Sequence, residues 1–318
     1  MFQRLLVPLD GSSRAEQALP VAARLARASG GTVVLLRVVS PPTELLPSTT
    51  AGLDTSSQRV DPDFAEATHY LQRVTKMSSL LDIYTETVVS SGQATATILS
   101  TVDARQIDLI VLCSHGYTGM KHQVLGSVAE QVAHYAPVPV FLLREGEAES
   151  AVFQQHVVDF LRVLVPLDGS VRAKAALVPA AQLIASLTAP EHRALHLLRV
   201  VVLPDAEQSS HNEREAIVQK AEQYLTTTVE HIHEELPANS AAGHTFSVTW
   251  SVTIDDDIAA GIIRVAEDGE GGEVSGSADM IAMAIYEYPG LQRDATGSVT
   301  RRVLQGTRLP LLIVRPQS

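Results

Sequence analysis

Two short runs of this sequence carry residue types and spacings suited to holding a phosphorylated ligand. Asp10, Gly11 and Ser12 follow an apolar run at 5–9. Further on, CSHGYTGMKHQVLGSV, from Cys113 to Val128, places nine residues between Gly116 and the pair Gly126-Ser127. Glycine lets backbone approach a ligand closely, and the free amides that open a helix attract an anion. The Ser127 hydroxyl would stand beside those amides. Asp10, at the end of a strand, could face a ribose or a phosphate-bound Mg²⁺. Taken singly, each run is as well explained by a turn and a helix cap. Their joint placement decides between the two readings.

The elements around them alternate β-branched apolar runs with stretches of helical period. Strands are expected at 5–9, 32–39, 85–89, 109–113 and 138–143. Helices are expected from Ser12 or Ser13 through 28, where Gly30 and Gly31 stop the first, and then at 64–81, 92–104 and 124–135. The Pro- and Thr-rich stretch 41–62 reads as a loop. This βαβαβαβαβ order gives an α/β fold with a doubly wound, open, parallel five-stranded sheet. Its ligand crevice lies at the carboxyl ends of the strands, where the winding reverses. The turns after the first and fourth strands meet there, which favours the binding reading.

The chain then repeats itself. RLLVPLDGSSRAEQAL at 4–19 returns as RVLVPLDGSVRAKAAL at 162–177, and LLRVV at 35–39 returns at 197–201. DLIVL at 108–112 answers to DMIAM at 279–283, and Gly126-Ser127-Val128 to Gly297-Ser298-Val299, both 171 positions on. Two copies of one domain are therefore expected, at 1–145 and 160–318. The growing offset places an exposed insertion at 267–276. The apolar last strands, VPVFLLR at 138–144 and LPLLIVR at 309–315, would sit at sheet edges, which are prone to pair, and are expected to pair with each other.

Composition narrows the function. A net charge of −12 and only 4% aromatic residues argue against nucleic acid as a partner. One cysteine, Cys113, permits no internal disulfide, and an inert small core residue is the plainer reading of it. The chain opens on a strand with no signal-like segment, and no apolar run approaches a membrane span, so no membrane and a cytoplasmic location are expected. There is no Walker lysine motif, no G-x-G-x-x-G and no general base placed by motif, so a fast enzyme is not expected. Slow hydrolysis is compatible with these residues.

These residues resemble the universal stress protein family in its tandem, two-domain form, over nearly the whole chain. The family's ATP signature is Gly, two residues, Gly, nine residues, then Gly-Ser or Gly-Thr. Cys113, Gly116, Gly126 and Ser127 stand in those places, with the first glycine replaced. The resemblance implies a Rossmann-like fold of the adenine nucleotide alpha hydrolase type, ATP with Mg²⁺ as ligand, and a regulatory role in stress. It implies that Asp10 lies near the ribose and that Val38 meets adenine through its backbone. Leu112, Cys113, Ser114, His115 and Gly116 would line the nucleotide, and Gly126, Ser127 and Val128 would hold the phosphates. Similar members dimerise through the last strand, which implies an intrachain pseudo-dimer, with a further homodimer possible.

In the second copy Ala284 and Glu287 fall at the places of the two signature glycines. A carboxylate about 4 Å from a phosphate costs ~4 kcal/mol at an effective dielectric near 20. A helix N-terminus returns only ~0.3 to 2 kcal/mol. The second copy is thus expected to keep Asp168, Gly297 and Ser298 for the fold and to lose triphosphate binding. The competing reading is a scaffold that binds no nucleotide and works through protein contacts. His231, His233, Glu234 and Glu235 lack a metal-protease spacing and read as a solvated helix end. Asp255, Asp256 and Asp257 read as caps of a following helix, and Met280, Met283 and Trp250 as core.

Overall fold

A computed structural model describes residues 1–40, 62–114, 125–144, 160–204, 210–235, 246–269, 276–285 and 298–316. The first half contains β1 (Arg4–Leu9), α1 (Ser13–Glu16), α2 (Ala18–Ser29), β2 (Thr32–Val39), α3 (Pro62–Val74), β3 (Tyr84–Ser91), α4 (Ala94–Ala104), β4 (Leu109–Cys113), α5 (Ser127–Tyr135) and β5 (Val140–Leu143). The second contains β6 (Leu161–Pro166), α6 (Leu177–Leu187), β7 (Arg193–Val201), α7 (His211–Glu235), β8 (Ser247–Ile254), α8 (Ile258–Asp268), β9 (Met280–Ala284), α9 (Ser298–Gly306) and β10 (Leu311–Val314).

The strands run β3-β2-β1-β4-β5-β10-β9-β6-β7-β8 in one ten-stranded sheet. Each half is parallel and five-stranded, as the alternation predicts. The two halves are one continuous sheet because β5 and β10 pair antiparallel, Phe141 opposite Leu312. The last strands do pair with each other. Side-chain alternation then loads both faces. Leu5, Val7, Val33 and Leu35 point into a core under α2, α3, α6 and α7, while Leu6, Val34 and Leu36 point into a second core under α4, α5, α8 and α9. In each half the order reverses beside the first strand, between β1 and β4 and between β6 and β9. A doubly wound sheet opens its crevice at that point.

Local chemistry sets the element ends. Ser12 caps α1, accepting from the Ala15 N–H at 3.2 Å. The expected single helix through 28 is interrupted at Gln17, because Pro20 has no N–H to give the Glu16 carbonyl. Gly30, at φ 66°, ends α2 in the left-handed conformation that glycine favours. The helix expected at 64–81 stops at Val74, with a single 3₁₀ turn at Ser78–Leu80. Asp257 caps α8 by accepting from the Ala260 N–H, as expected of that acidic run.

Met280 and Met283 are buried, but Trp250 is 37% exposed and is not core. It sits on β8, the outermost strand, which has a neighbour on one side only. Most of the expected insertion at 267–276, and most of the expected loop at 41–62, lie outside the described residues. No helix among the described residues is long and apolar enough to cross a membrane.

Candidate functional site

The crevice is built from strand ends inward. β1 delivers Asp10 and Gly11, β2 delivers Arg37 and Val38, and β4 delivers Leu112 and Cys113 to the same edge of the sheet. Asp10 closes a turn there. Its Oδ1 accepts from the Ser12 N–H at 2.9 Å and from the Ser12 hydroxyl at 2.6 Å. Asp168 does the same work in the second half, accepting from the Ser170 N–H at 2.8 Å. The aspartate of the repeat thus has a structural task in both copies, whatever else it touches.

Beside this turn lies a cavity of about 470 Å³, lined by Gly11, Arg37 and Val38 on one side and by Glu66, Tyr70 and Arg73 of α3 on the other. That volume falls within the range of small-molecule pockets. Val38, the expected adenine contact, is part of its wall. Gly11 holds φ at +89°, and a Cβ there would lie 3.6 Å from Arg37 Nη2, so the turn needs glycine for its backbone more than for space. The Arg37 Nη1 donates to the Leu9 carbonyl at 3.4 Å, bracing the end of β1.

Tyr70 is the buried anchor of α3. Its hydroxyl donates to Glu16 Oε1 at 3.0 Å, and burial together with that carboxylate pushes its pKa up. Asp10 adds to the rise and Arg37 opposes it, which places all four groups within electrostatic reach of one another. The lining is mixed in charge, with Arg37 and Arg73 set against Asp63 and Glu66, and Asp10 and Glu16 act on Tyr70 from close by.

The expected phosphate end is described in part. Gly126 opens α5 with φ −60° and ψ 141°, and no side chain caps the first turn. The Gly126 N–H donates to the Ser114 carbonyl at 2.7 Å, which ties the helix start to the end of β4. Ser127 is exposed and Val128 is 38% exposed, so both reach solvent from that turn. Leu112 is buried and Cys113 partly so. His115, Gly116 and Lys121 lie outside the described residues, as do Tyr286, Glu287 and Gly297 of the second copy.

Two wall residues, Arg37 and Tyr70, and the Glu16 carboxylate that holds Tyr70 were not singled out from sequence alone. Arg37 did leave a signal, since it recurs as Arg199 in the repeated LLRVV. Arg199 donates to the Leu167 carbonyl at 3.1 Å, and Tyr224 there carries a pKa raised chiefly by burial. Glu16 is replaced by Lys174, whose Nζ lies 5.1 Å above the Tyr224 ring. The frame is kept while one charge of the lip changes sign. Among the described residues no group of His, Cys, Asp and Glu is arranged to hold a metal. His231 is exposed, and its Nδ1 lies 2.6 Å from the Thr227 carbonyl.

Known proteins share both the pattern and the shape. A universal stress protein from Bacillus subtilis is 26% identical over 148 residues, which are 45% of this chain and 100% of that one. One from Synechocystis is 30% identical over 145 residues, 45% of this chain and 86% of that one. These relatives are about as long as one copy. A crystal structure of a universal stress protein from Archaeoglobus fulgidus covers 98% of this chain and 98% of its own, with a TM-score of 0.65 at 18% identity, and so shares the two-copy fold. The Usp model, described as the universal stress protein family, matches residues 1–144 and again 159–315. The duplicated doubly wound sheet and these matches agree, and the chain belongs to the universal stress protein family, in tandem form.

Proposed function

We propose that the first copy binds an adenine nucleotide and that its occupancy makes the chain a nucleotide-responsive stress protein, regulatory and not a fast enzyme. The observation that carries this reading is the cavity at Val38, adjoining the Asp10 turn at the reversal point of the sheet. Adenine enters beside β2 against the Val38 backbone, and the ribose lies toward Asp10. The phosphates run to the first turn of α5, where the amides of Ser127 and Val128 and the Ser127 hydroxyl would hold them. Bound Mg²⁺ would offset the charge of a triphosphate near the acidic lip.

One observation favours the competing reading, a scaffold without nucleotide: Asp10 Oδ1 is already engaged in the turn, as Asp168 is where Glu287 stands in place of glycine. Calorimetric titration of the full chain with ATP, ADP and AMP separates the two. One equivalent per chain is expected, with affinity reduced at least tenfold by Ser127→Asp, a change the helix N-terminus itself tolerates. Two equivalents, or binding indifferent to that substitution, would overturn the site assignment. Absence of binding would leave the scaffold.

A further inference from the structure

The pseudo-two-fold axis that relates the two halves can be located from the sequence offset and the strand register together. In the last third of each copy, equivalent positions are 171 residues apart, as Gly126-Ser127-Val128 and Gly297-Ser298-Val299 show. By that offset Phe141 is equivalent to Leu312, and these two residues are paired across the β5–β10 ladder. Val140 pairs with Ile313 and Leu142 with Leu311, so the ladder is symmetric about the Phe141–Leu312 pair. Residues related by a two-fold axis can touch each other only at the axis. Phe141 and Leu312 therefore mark it, and both are fully buried in the core beneath α2 and α6.

A second such pair lies on the opposite face of the sheet. Glu130 on α5 and Arg301 on α9 are also 171 residues apart, and Arg301 Nε stands 3.0 Å from Glu130 Oε1. The same position is an acid in one copy and a base in the other.

We infer that this interface is built for unlike copies: each half selects the other half and disfavours its own kind. If two first copies met through β5, Glu130 would face Glu130 and two phenylalanines would compete for one space. If two second copies met through β10, Arg301 would face Arg301 and two leucines would leave that space underfilled. Only the mixed pairing gives opposite charge on one face and large against smaller on the other. Two further contacts depart from symmetry in the same sense. Arg144 of the first copy is buried and donates to the Leu304 carbonyl, while its equivalent Arg315 is exposed. Arg24 donates to the Leu187 carbonyl, and the equivalent position holds Gln182. Such a surface keeps the pairing within the chain and holds the copy that retains most of the signature beside the copy that has lost both of its leading glycines.

The test is a pair of exchange cycles in the full chain, read by thermal unfolding. Glu130→Arg or Arg301→Glu alone sets like charges across the axis and is expected to lower Tm by about 1 to 4 °C. The double reversal is expected to return to within about 1 °C of the parent. Raising the salt to about 1 M should shrink the single losses. Phe141→Leu and Leu312→Phe should each lower Tm further than the charge changes, and the exchanged double variant should recover at least half of the summed loss. Additive losses in both doubles would overturn the inference, because residues that act independently cannot rescue each other. Single charge losses unmoved by salt would overturn its electrostatic half.

Discussion

The Tyr70 hydroxyl donates to Glu16 Oε1 at 3.0 Å, joining the buried face of α3 to the end of α1, the short helix after β1. The second copy keeps the tyrosine as Tyr224 and sets Lys174 over it in place of the carboxylate. Tyr70 also lines the cavity, so the contact ties one of its wall residues to α1. It is also one of the points at which the two copies diverge in charge.

Tyr70 should resist ionisation. Burial first, and the Glu16 carboxylate second, raise its pKa above the ordinary 10.0. A group whose folded pKa is raised contributes stability that is fully present below the unfolded value, and that contribution is lost as pH rises through the folded one. Absorbance titration at 295 nm should therefore show the same amplitude between about pH 9.5 and 11 in the parent and in Tyr70→Phe. A missing phenolate in the variant over that range would mean that Tyr70 titrates normally.

Gly11 and Gly169 hold φ at +89° and +90°. Gly11→Ala and Gly169→Ala should each cost about 1 to 2 kcal/mol by urea denaturation, since a Cβ opposes that conformation. Nucleotide affinity should fall only with the first. Equal losses of affinity would argue that the second copy binds as well.

Arg144 and Arg315 occupy equivalent strand ends, yet only Arg144 is buried, and burial pushes its guanidinium down to about 10 while Glu267 partly opposes this. Arg144→Ala should destabilise the chain by about 1 to 3 kcal/mol, because the Leu304 carbonyl loses its buried donor. Arg315→Ala should stay within about 0.5 kcal/mol of the parent. Denaturant midpoints of the two variants check this directly.

Asp257 caps α8 and pairs with Arg302, and that ion pair, followed by the Ala260 N–H, holds its pKa below the usual 3.8. A depressed carboxylate contributes stability above its unfolded pKa and loses it as pH falls through the folded one. The Tm of Asp257→Ala should lie below the parent's at pH 7, and the two should converge as pH drops below about 4. A gap that persists in acid would assign the loss to packing.

Much of the fold was legible because its signals are local. Thr32–Val39 and Leu109–Cys113 read as strands from their apolar, β-branched runs, and Gly30 marked a helix end through its backbone freedom. Trp250 was misread for a complementary reason. Its size suggests burial, but burial on an edge strand depends on a neighbour that β8 lacks. The candidate site was half legible: Asp10, Val38, Gly126 and Ser127 sit beside recognisable turns. Tyr70 lies in an ordinary amphipathic helix, and nothing in the spacing of 62–74 says which strand end it faces.

Taken by itself, the chain's order of residues established the duplication, the alternation of strand and helix, and the expectation that the two apolar last strands would join, since each follows from periodicity or from direct self-similarity. The three-dimensional structure alone decided which side chains meet: Tyr70 with Glu16, Phe141 with Leu312, Glu130 with Arg301. Periodicity encodes the face a residue occupies. Its partner is set by strand register and helix packing between segments far apart in the chain, and those exist only once the sheet has closed across its axis.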